Sequence, residues 1–268
     1  MQEFQSRLDV IGNNIANANT VGYKSGRLQS AEAFSQTLQA ASASTTGVAG
    51  ALPIQVGNGV ATSSIQTVFT QGAVSSTGVA TDLAINGEGF FMVKDPINGA
   101  SYATRAGDFH LDENNFLVTD KGMRLQGLND VALTTAGDLK IDTNGAAAGI
   151  SVASYNIDSG GFVNVRLSNG TNLVRGQLTL QKFTNPSALM KAGDSLYTGL
   201  ANAGPLATPA TPTNSGTGKI QSGALELSNV DMTSEFASLI TAQRGFSANA
   251  KIVTTSDEIL QEVVNLKH

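Results

Sequence analysis

The last forty residues constrain this chain most. From Ser228 onward apolar residues recur at alternating steps of three and four. Leu239, Phe246, Val253 and Leu260 stand seven apart, and Phe236, Gln243, Ala250, Asp257 and Val264 form a second row with the same spacing. A sustained period of seven predicts a long helix that lays a narrow apolar seam on a second helix. Over 231–266 such a helix would run about 54 Å at 1.5 Å per residue, longer than helices of compact domains usually run. It has two soft points. Gly245 costs about 1 kcal/mol relative to alanine in a helix interior. The run Thr254 to Glu258 contains a Thr-x-x-Glu capping box that would start a separate helix. The seven-residue phase survives across it, which favours one continuous helix.

Such a seam needs a partner. Phe4, Leu8, Ile11, Ile15 and Ala18 repeat the three-four spacing at the other end of the chain. The two ends therefore read as two strands of one coiled coil, with everything between them inserted. The alternative is that each is an ordinary amphipathic helix on the surface of the central domain.

Between the ends the pattern changes. A helix over 1–17 stops in Asn17, Asn19 and Gly22, residues suited to caps and turns. Leu28, Phe34 and Leu38 fall near one helical face and predict a second short helix over 28–38. From Ala40 to Ala51 the chain is Ala, Ser, Thr and Gly almost throughout, the composition of a linker. From Ile54 to Phe183 the period is two, as in Leu83 and Ile85, Phe109 and Leu111, Phe116 and Val118, and Met123 and Leu125. Five Asn-Gly dipeptides, at 58–59, 86–87, 98–99, 144–145 and 169–170, predict type I′ hairpin turns. Asn185-Pro186-Ser187 ends this region or opens a short helix. Pro205, Pro209 and Pro212 mark a second linker over 204–218. The fold class is therefore α+β: N- and C-terminal helices paired as a coiled coil, with an inserted antiparallel all-β domain. The expected segments are a helical 1–39, a linker 40–53, a β domain 54–203, a linker 204–218 and a helical 219–268.

Composition narrows the function. Charged residues make up 14% and the net charge is −5, with no basic cluster, so nucleic acid is not an expected partner. The chain has no cysteine, which removes disulfides, thiolate catalysis and Cys-based zinc sites. No run is long and apolar enough for a transmembrane helix, and no Sec-type signal pattern is visible. His110, in a predicted strand, reads as structural rather than as a base or ligand. Gly57-Asn58-Gly59 and Gly87-Glu88-Gly89 lack the third glycine or Lys-Ser/Thr of a phosphate loop. Asp108, Asp112 and Glu113 lack the calcium-loop pattern and read as a solvated turn. Asn169-Gly170-Thr171 matches a glycosylation sequon but already has a turn role. No enzyme and no cofactor is expected. An apolar seam joined to a β domain points instead to assembly, and head-to-tail contacts that do not close yield an open helical filament.

Particular residues carry more than the pattern. Leu8 to Lys24 reads LDVIGNNIANANTVGYK, and Thr81 to Val93 reads TDLAINGEGFFMV. Tyr102 to Phe109 reads YATRAGDF, and Leu117 to Gly127 reads LVTDKGMRLQG. Gln221 to Asp231 reads QSGALELSNVD, and Ala242 to Phe246 reads AQRGF. In this order they resemble the signature stretches of bacterial flagellar rod and hook proteins over nearly the whole chain. The ending Ile252 to Lys267 and the run Leu83 to Phe91 resemble hook subunits most, whereas the length and Ala51 to Gly59 resemble distal-rod subunits. The expectation is a hook-type subunit, with a distal-rod subunit as the alternative. A non-flagellar monomeric β-domain binding protein is the reading outside the family. In the family the first helix normally starts well upstream of the Leu-Asp-Val-Ile segment. Met1 lies only seven residues before it, so about 16 Å of helix is expected to be missing or to lie upstream.

The resemblance implies a structural subunit that self-assembles into a hollow axial tube of the flagellum, exported through the flagellar type III apparatus without a cleaved signal. It implies copies of itself, adjoining rod and hook–filament junction proteins, and a hook cap during assembly as partners. The paired helices would line the channel. The residues expected in the assembly seam are Leu8, Ile11 and Ile15 facing Phe236, Leu239, Phe246, Val253, Leu260 and Val264. Asn13, Asn14, Asn17 and Gln243 are polar positions that either fix register between subunits or form a solvated face.

Overall fold

The computed structural model describes residues 1–41, 50, 52–130, 133–143 and 151–266. It is an α+β chain that divides into two units: 1–16 with 26–67 and 231–268, and 17–25 with 68–230.

The first unit holds both helices. Helix α1 spans Gln2–Ala16 and helix α2 spans Met232–Asn265 without a break. Asp231 caps α2, accepting hydrogen bonds from the Thr233 and Ser234 amides at 2.9 and 3.3 Å, which satisfies two of the amides that a helix start leaves unpaired. The capping box at Thr255 does not open a second helix. Thr254 and Thr255 donate their hydroxyls to the Lys251 carbonyl, and Ser256 donates to that of Ile252. Back-bonding into the preceding turn keeps these side chains inside one helix.

The short helix predicted over 28–38 is not formed. Gly26–Glu32 is a strand paired antiparallel with Val60–Thr67, and Ser35–Gln39 is a strand paired with Ile54–Gly57. The loose spacing of Leu28, Phe34 and Leu38 gives no helix a continuous apolar face, whereas the ladder to 54–67 pairs the backbone of both segments. The two pairings make one ribbon, interrupted at Ala33-Phe34 on one strand and Asn58-Gly59 on the other. There the Ala33 amide donates to the Gly59 carbonyl at 2.8 Å. The strands 54–57 and 60–67, expected in the β domain, thus belong with the helices. The expected linker lies mostly outside the described residues, at 42–49 and 51.

The second unit is built on an antiparallel sheet. Among the described residues its main path runs through strands 152–157, 162–167, 172–178, 124–128, 90–94, 101–104, 196–198 and 190–193. The strand Phe90–Lys94 shows how both faces are covered. Phe91 and Val93 point into one core, with Leu117, Leu125, Leu139, Leu178 and Ile220. Phe90 packs on the other face with Phe183, Leu189 and Tyr197. Aromatic rings meet edge to face in both: Phe91 on Phe109 at 5.3 Å, and Phe90 on Phe183 at 5.4 Å.

Two further boundaries differ from expectation. Lys219–Ser222 and Ala224–Glu226 are strands, paired with Leu83–Asn86 and Val74–Ser76, so the C-terminal helix begins only at Met232. The expected linker 204–218 is fastened to the sheet: Ala210 and Leu180 exchange both backbone hydrogen bonds, and Pro212 and Thr217 are buried. Proline limits φ but leaves the chain extended, and an extended strip can pair at an edge. Asn185-Pro186-Ser187 leads into a single 3₁₀ turn, Pro186–Ala188.

Asn-Gly turns hold in part. Asn98-Gly99 and Asn169-Gly170 join paired strands, while Asn86-Gly87 and Asn58-Gly59 sit where one pairing gives way to another. In all four the glycine has positive φ and the asparagine does not. They are not type I′ turns, which need positive φ at both positions. Asn144-Gly145 lies outside the described residues.

Candidate functional site: an exposed helical seam and a buried ionic knot

The predicted seam residues divide along α2. Leu8, Ile15, Leu239 and Phe246 are half-buried and Ile11 is buried. Phe236, Gln243, Val253, Leu260 and Val264 are exposed, Leu260 at 63%. α1 and α2 pack together in an antiparallel sense. The Phe4 ring lies over Gly245, where an added Cβ would come within 2.5 Å of the ring. At the other end the Asn14 amide donates to Glu235 Oε1 at 3.0 Å. Gly245, a soft point by propensity, is therefore where α2 admits a ring from α1. α1 begins opposite the turn after Gly245, and every described residue of 251–266 is exposed.

The asparagines serve different ends. Asn14 is buried and exchanges two 2.9 Å hydrogen bonds with the Gly26 backbone, fixing the start of the ribbon against α1. Asn17 accepts from the Thr20 hydroxyl in the turn that ends α1. Asn13 is exposed.

In the β unit the signature stretches converge on a group that the sequence reading did not single out. Glu226 is fully buried and accepts from Lys24 Nζ at 2.6 Å, Arg105 Nη1 at 3.2 Å and the Gly72 amide at 2.9 Å. Lys24 is also fully buried and gives a second bond to the Thr70 carbonyl. Arg105 donates to the Gly87 carbonyl, and its guanidinium lies 5.1 Å from the Phe90 ring centre. Burial pulls the Lys24 ammonium and the Arg105 guanidinium below their ordinary pKa values, and Glu226 opposes this in both. Burial also pushes the neighbouring Tyr197 phenol up. An unpaired charge in such a place is costly, so the three groups depend on one another.

The backbone around them is equally specified. Gly22 has φ +65°, and a Cβ there would stand 2.4 Å from the Ala106 amide nitrogen. A Cβ on Gly107 would stand 1.6 Å from the Leu83 carbonyl oxygen. The Gly22 amide donates to the Glu226 carbonyl at 2.8 Å. Asn229 accepts from the Ser25 amide and donates to the Val68 carbonyl and the Thr70 hydroxyl. Lys191 Nζ lies 4.4 Å from the Tyr23 ring centre and donates to the Lys24 carbonyl. Thus the Val-Gly-Tyr-Lys, Arg-Ala-Gly-Asp and Leu-Glu-Leu-Ser-Asn stretches are parts of one knot. It ties the chain just after α1 to the chain just before α2.

Elsewhere the chemistry is sparse. His110 is exposed, with Nδ1 3.6 Å from Asp120. Asp112 accepts from the Asn114 and Phe116 amides in a turn. Among the described residues no group of three His, Cys, Asp or Glu side chains is placed to hold a metal ion.

Three family models match the chain: a flagellar basal-body rod protein model over 1–24, a flagellar hook protein FlgE/F/G D1 domain over 84–165, and a flagellar basal-body rod FlgEFG protein C-terminal model over 221–266. The knot draws one member from each: Lys24, Arg105 and Glu226. The flagellar basal-body rod protein FlgG of Bacillus subtilis is 43% identical, the match covering 100% of this chain and 96% of that protein. FlgG of Buchnera aphidicola subsp. Acyrthosiphon pisum is 34% identical over 98% of this chain and 94% of its own length. The flagellar hook protein FlgE of Borreliella burgdorferi is 26% identical, covering 100% of this chain and 98% of that protein, over an alignment of 434 positions. With signature stretches, fold elements and end-to-end similarity in agreement, the chain belongs to the flagellar rod and hook family of axial structural proteins.

Proposed function

We propose that this chain is a rod-type subunit of the flagellar basal body, rather than the hook-type subunit expected from its C-terminal ending. The observation that carries this reading is the end-to-end match to rod relatives of nearly equal length. The hook relative aligns only over 434 positions against the 268 residues here, so it has a long stretch without counterpart. Subunits of this kind build an axial polymer. The exposed apolar residues of α2 supply a driving force, since burying a valine, leucine or isoleucine side chain contributes about 1.5–3 kcal/mol. Ile252, Val253, Ile259, Leu260, Val263 and Val264 are all exposed.

In this reading α1 and α2 form a coiled coil, and copies of the chain cover the rest of α2. The seam comprises Leu8, Ile11, Ile15, Phe236, Leu239, Phe246, Val253, Leu260 and Val264, with Asn13, Asn14, Asn17 and Gln243 as its polar positions. Export proceeds through the flagellar type III apparatus without a cleaved signal, and the neighbours along the axis are other rod and hook subunits. The hook reading retains two observations, the resemblance of Ile252 to Lys267 and of Leu83 to Phe91 to hook subunits.

Electron microscopy of the purified chain, seeded with sheared basal-body fragments, separates the two. Straight, length-limited stubs are expected. Curved tubes would establish the hook, and absence of polymer from a chain extended upstream of Met1 would overturn self-assembly. Phe246→Ala is expected to abolish growth from the seeds while the β unit stays folded by near-UV circular dichroism.

A further inference from the structure

Asn-Gly is the dipeptide most open to intramolecular attack, because glycine has no side chain to hinder its own nitrogen. Sequence alone ranks the five pairs of this chain equally. The structure does not. The reacting nitrogen is that of the glycine. At Gly87 it donates to Gln71 Oε1 at 3.0 Å, at Gly99 to the Asp95 carbonyl at 2.9 Å, and at Gly170 to the Leu167 carbonyl at 2.9 Å. Two of the asparagine side chains are held as well. Asn98 donates to Asp95 Oδ2, and Asn169 accepts from the Thr171 amide and hydroxyl. Asn58-Gly59 differs in each respect. Among the described residues neither the Gly59 amide nor the Asn58 side chain has a hydrogen-bond partner. Both residues are exposed, Gly59 has φ +98°, and nothing stands within 4 Å of the position a Cβ would take.

We propose that Asn58 is a site of spontaneous deamidation in the native protein. The Gly59 backbone nitrogen attacks Asn58 Cγ and a nitrogen–carbon bond forms. The Cγ–Nδ2 bond breaks, and the amide leaves as ammonia, carrying the proton lost by the backbone nitrogen. Water then opens the succinimide at either carbonyl, giving aspartate or isoaspartate. No other reactant is needed. The product matters because of its place. Asn58 sits at the break between the two pairings of the ribbon, and Glu32 Oε1 stands 3.4 Å from where a Cβ on adjacent Gly57 would lie. A new carboxylate there adds negative charge close to Glu32, on a chain whose net charge is already −5. The isoaspartate form also lengthens the backbone by one carbon at the point where the register passes from one ladder to the next.

The test compares native with urea-unfolded full-length chain, incubated at mildly alkaline pH and mapped by peptide mass spectrometry. The signal is the mass gain of amide-to-acid conversion at each pair. In urea all five pairs should convert at similar rates. In the native chain Asn58 should keep nearly its unfolded rate. Asn86, Asn98 and Asn169 should each slow at least about fivefold, the factor that one net hydrogen bond of about 1 kcal/mol imposes on a barrier. Equal protection of Asn58, or faster native conversion at any of the other three, would overturn the assignment. In a chain that already carries Asn144→Gln, adding Asn58→Gln should abolish the early acidic species seen on isoelectric focusing; its persistence in that double variant would do the same.

Discussion

In the β unit Phe91, Val93, Leu117, Leu125, Leu178 and Leu180 have no solvent exposure at all. In the unit that holds the helices, Ile11 and Ala242 are the buried apolar side chains among the described residues, while Phe34 is 92% exposed and α2 shows apolar residues to solvent along its second half. Both regions have comparable apolar patterning. They differ in how much of it is covered among the described residues. A sheet with two faces finds partners in its own loops and strands, as Phe90 and Phe91 do on opposite sides. A helix with a seam of seven-residue period needs a second helix to cover it; the Phe4 ring of α1 packs at Gly245, while the described residues 251–266 stay exposed. Exposure here follows the supply of partners, and the exposed apolar residues of α2 give the proposed polymer something to bury.

The largest expected effect lies in the β unit. Glu226→Ala would leave Lys24 and Arg105 buried without their shared anion, and should destabilise that unit by about 3–5 kcal/mol, the usual cost of breaking a buried pair. Urea unfolding followed by near-UV circular dichroism reads this directly. A loss below about 1 kcal/mol would show that the knot is not a keystone. Gly107→Ala comes next. Its Cβ collides with backbone at Leu83, which cannot swing aside as a side chain can, so about 3 kcal/mol is expected in the same measurement.

The helical unit should behave oppositely. Val253→Ser together with Leu260→Ser should leave monomer stability within about 0.5 kcal/mol, because both residues are already in water. The same double variant should fail to extend seeds. Normal growth would remove this face from the seam, and a large loss of monomer stability would mean that it is covered within one copy.

The smallest effect concerns Asp108, whose carboxyl burial pushes above the ordinary range, helped by Asp120 and Asp82. The folded state thus holds this proton at pH values where the unfolded state has released it. Native stability from this group therefore falls as pH rises through the interval just above the ordinary Asp value. Asp108→Asn should raise Tm by about 1 °C at neutral pH, with the gain vanishing in acid where both states are protonated. A gain that persists unchanged in acid would point to packing rather than charge.

How much of this was legible beforehand depends on range. The period of α2 is a local property, repeated over many turns, and it survived Gly245 and the Thr255 capping box. The signature stretches were legible as a family resemblance too, yet the roles of Lys24, Arg105 and Glu226 within them were not. Lys24 and Glu226 are 202 positions apart, and nothing in a linear pattern says which of several charges will be enclosed together. The ribbon is illegible in the sequence for a related reason. Whether 26–39 becomes helix or strand is settled by the segment 54–67 that pairs with it, not by its own spacing. The strands at 219–226 were lost in the same way, since their partners are 83–86 and 74–76.

The α+β class, the continuous C-terminal helix and the family are therefore written in the sequence alone. Those follow from periodicity, composition and motif order, which act residue by residue along the chain. The three-dimensional contacts settle which apolar faces are closed, why Gly22, Gly107 and Gly245 must be small, where the buried charges meet, and which of the four described Asn-Gly pairs is left unrestrained. Each of those depends on what another part of the chain brings within a few ångströms, and proximity in space is not written in the order of residues.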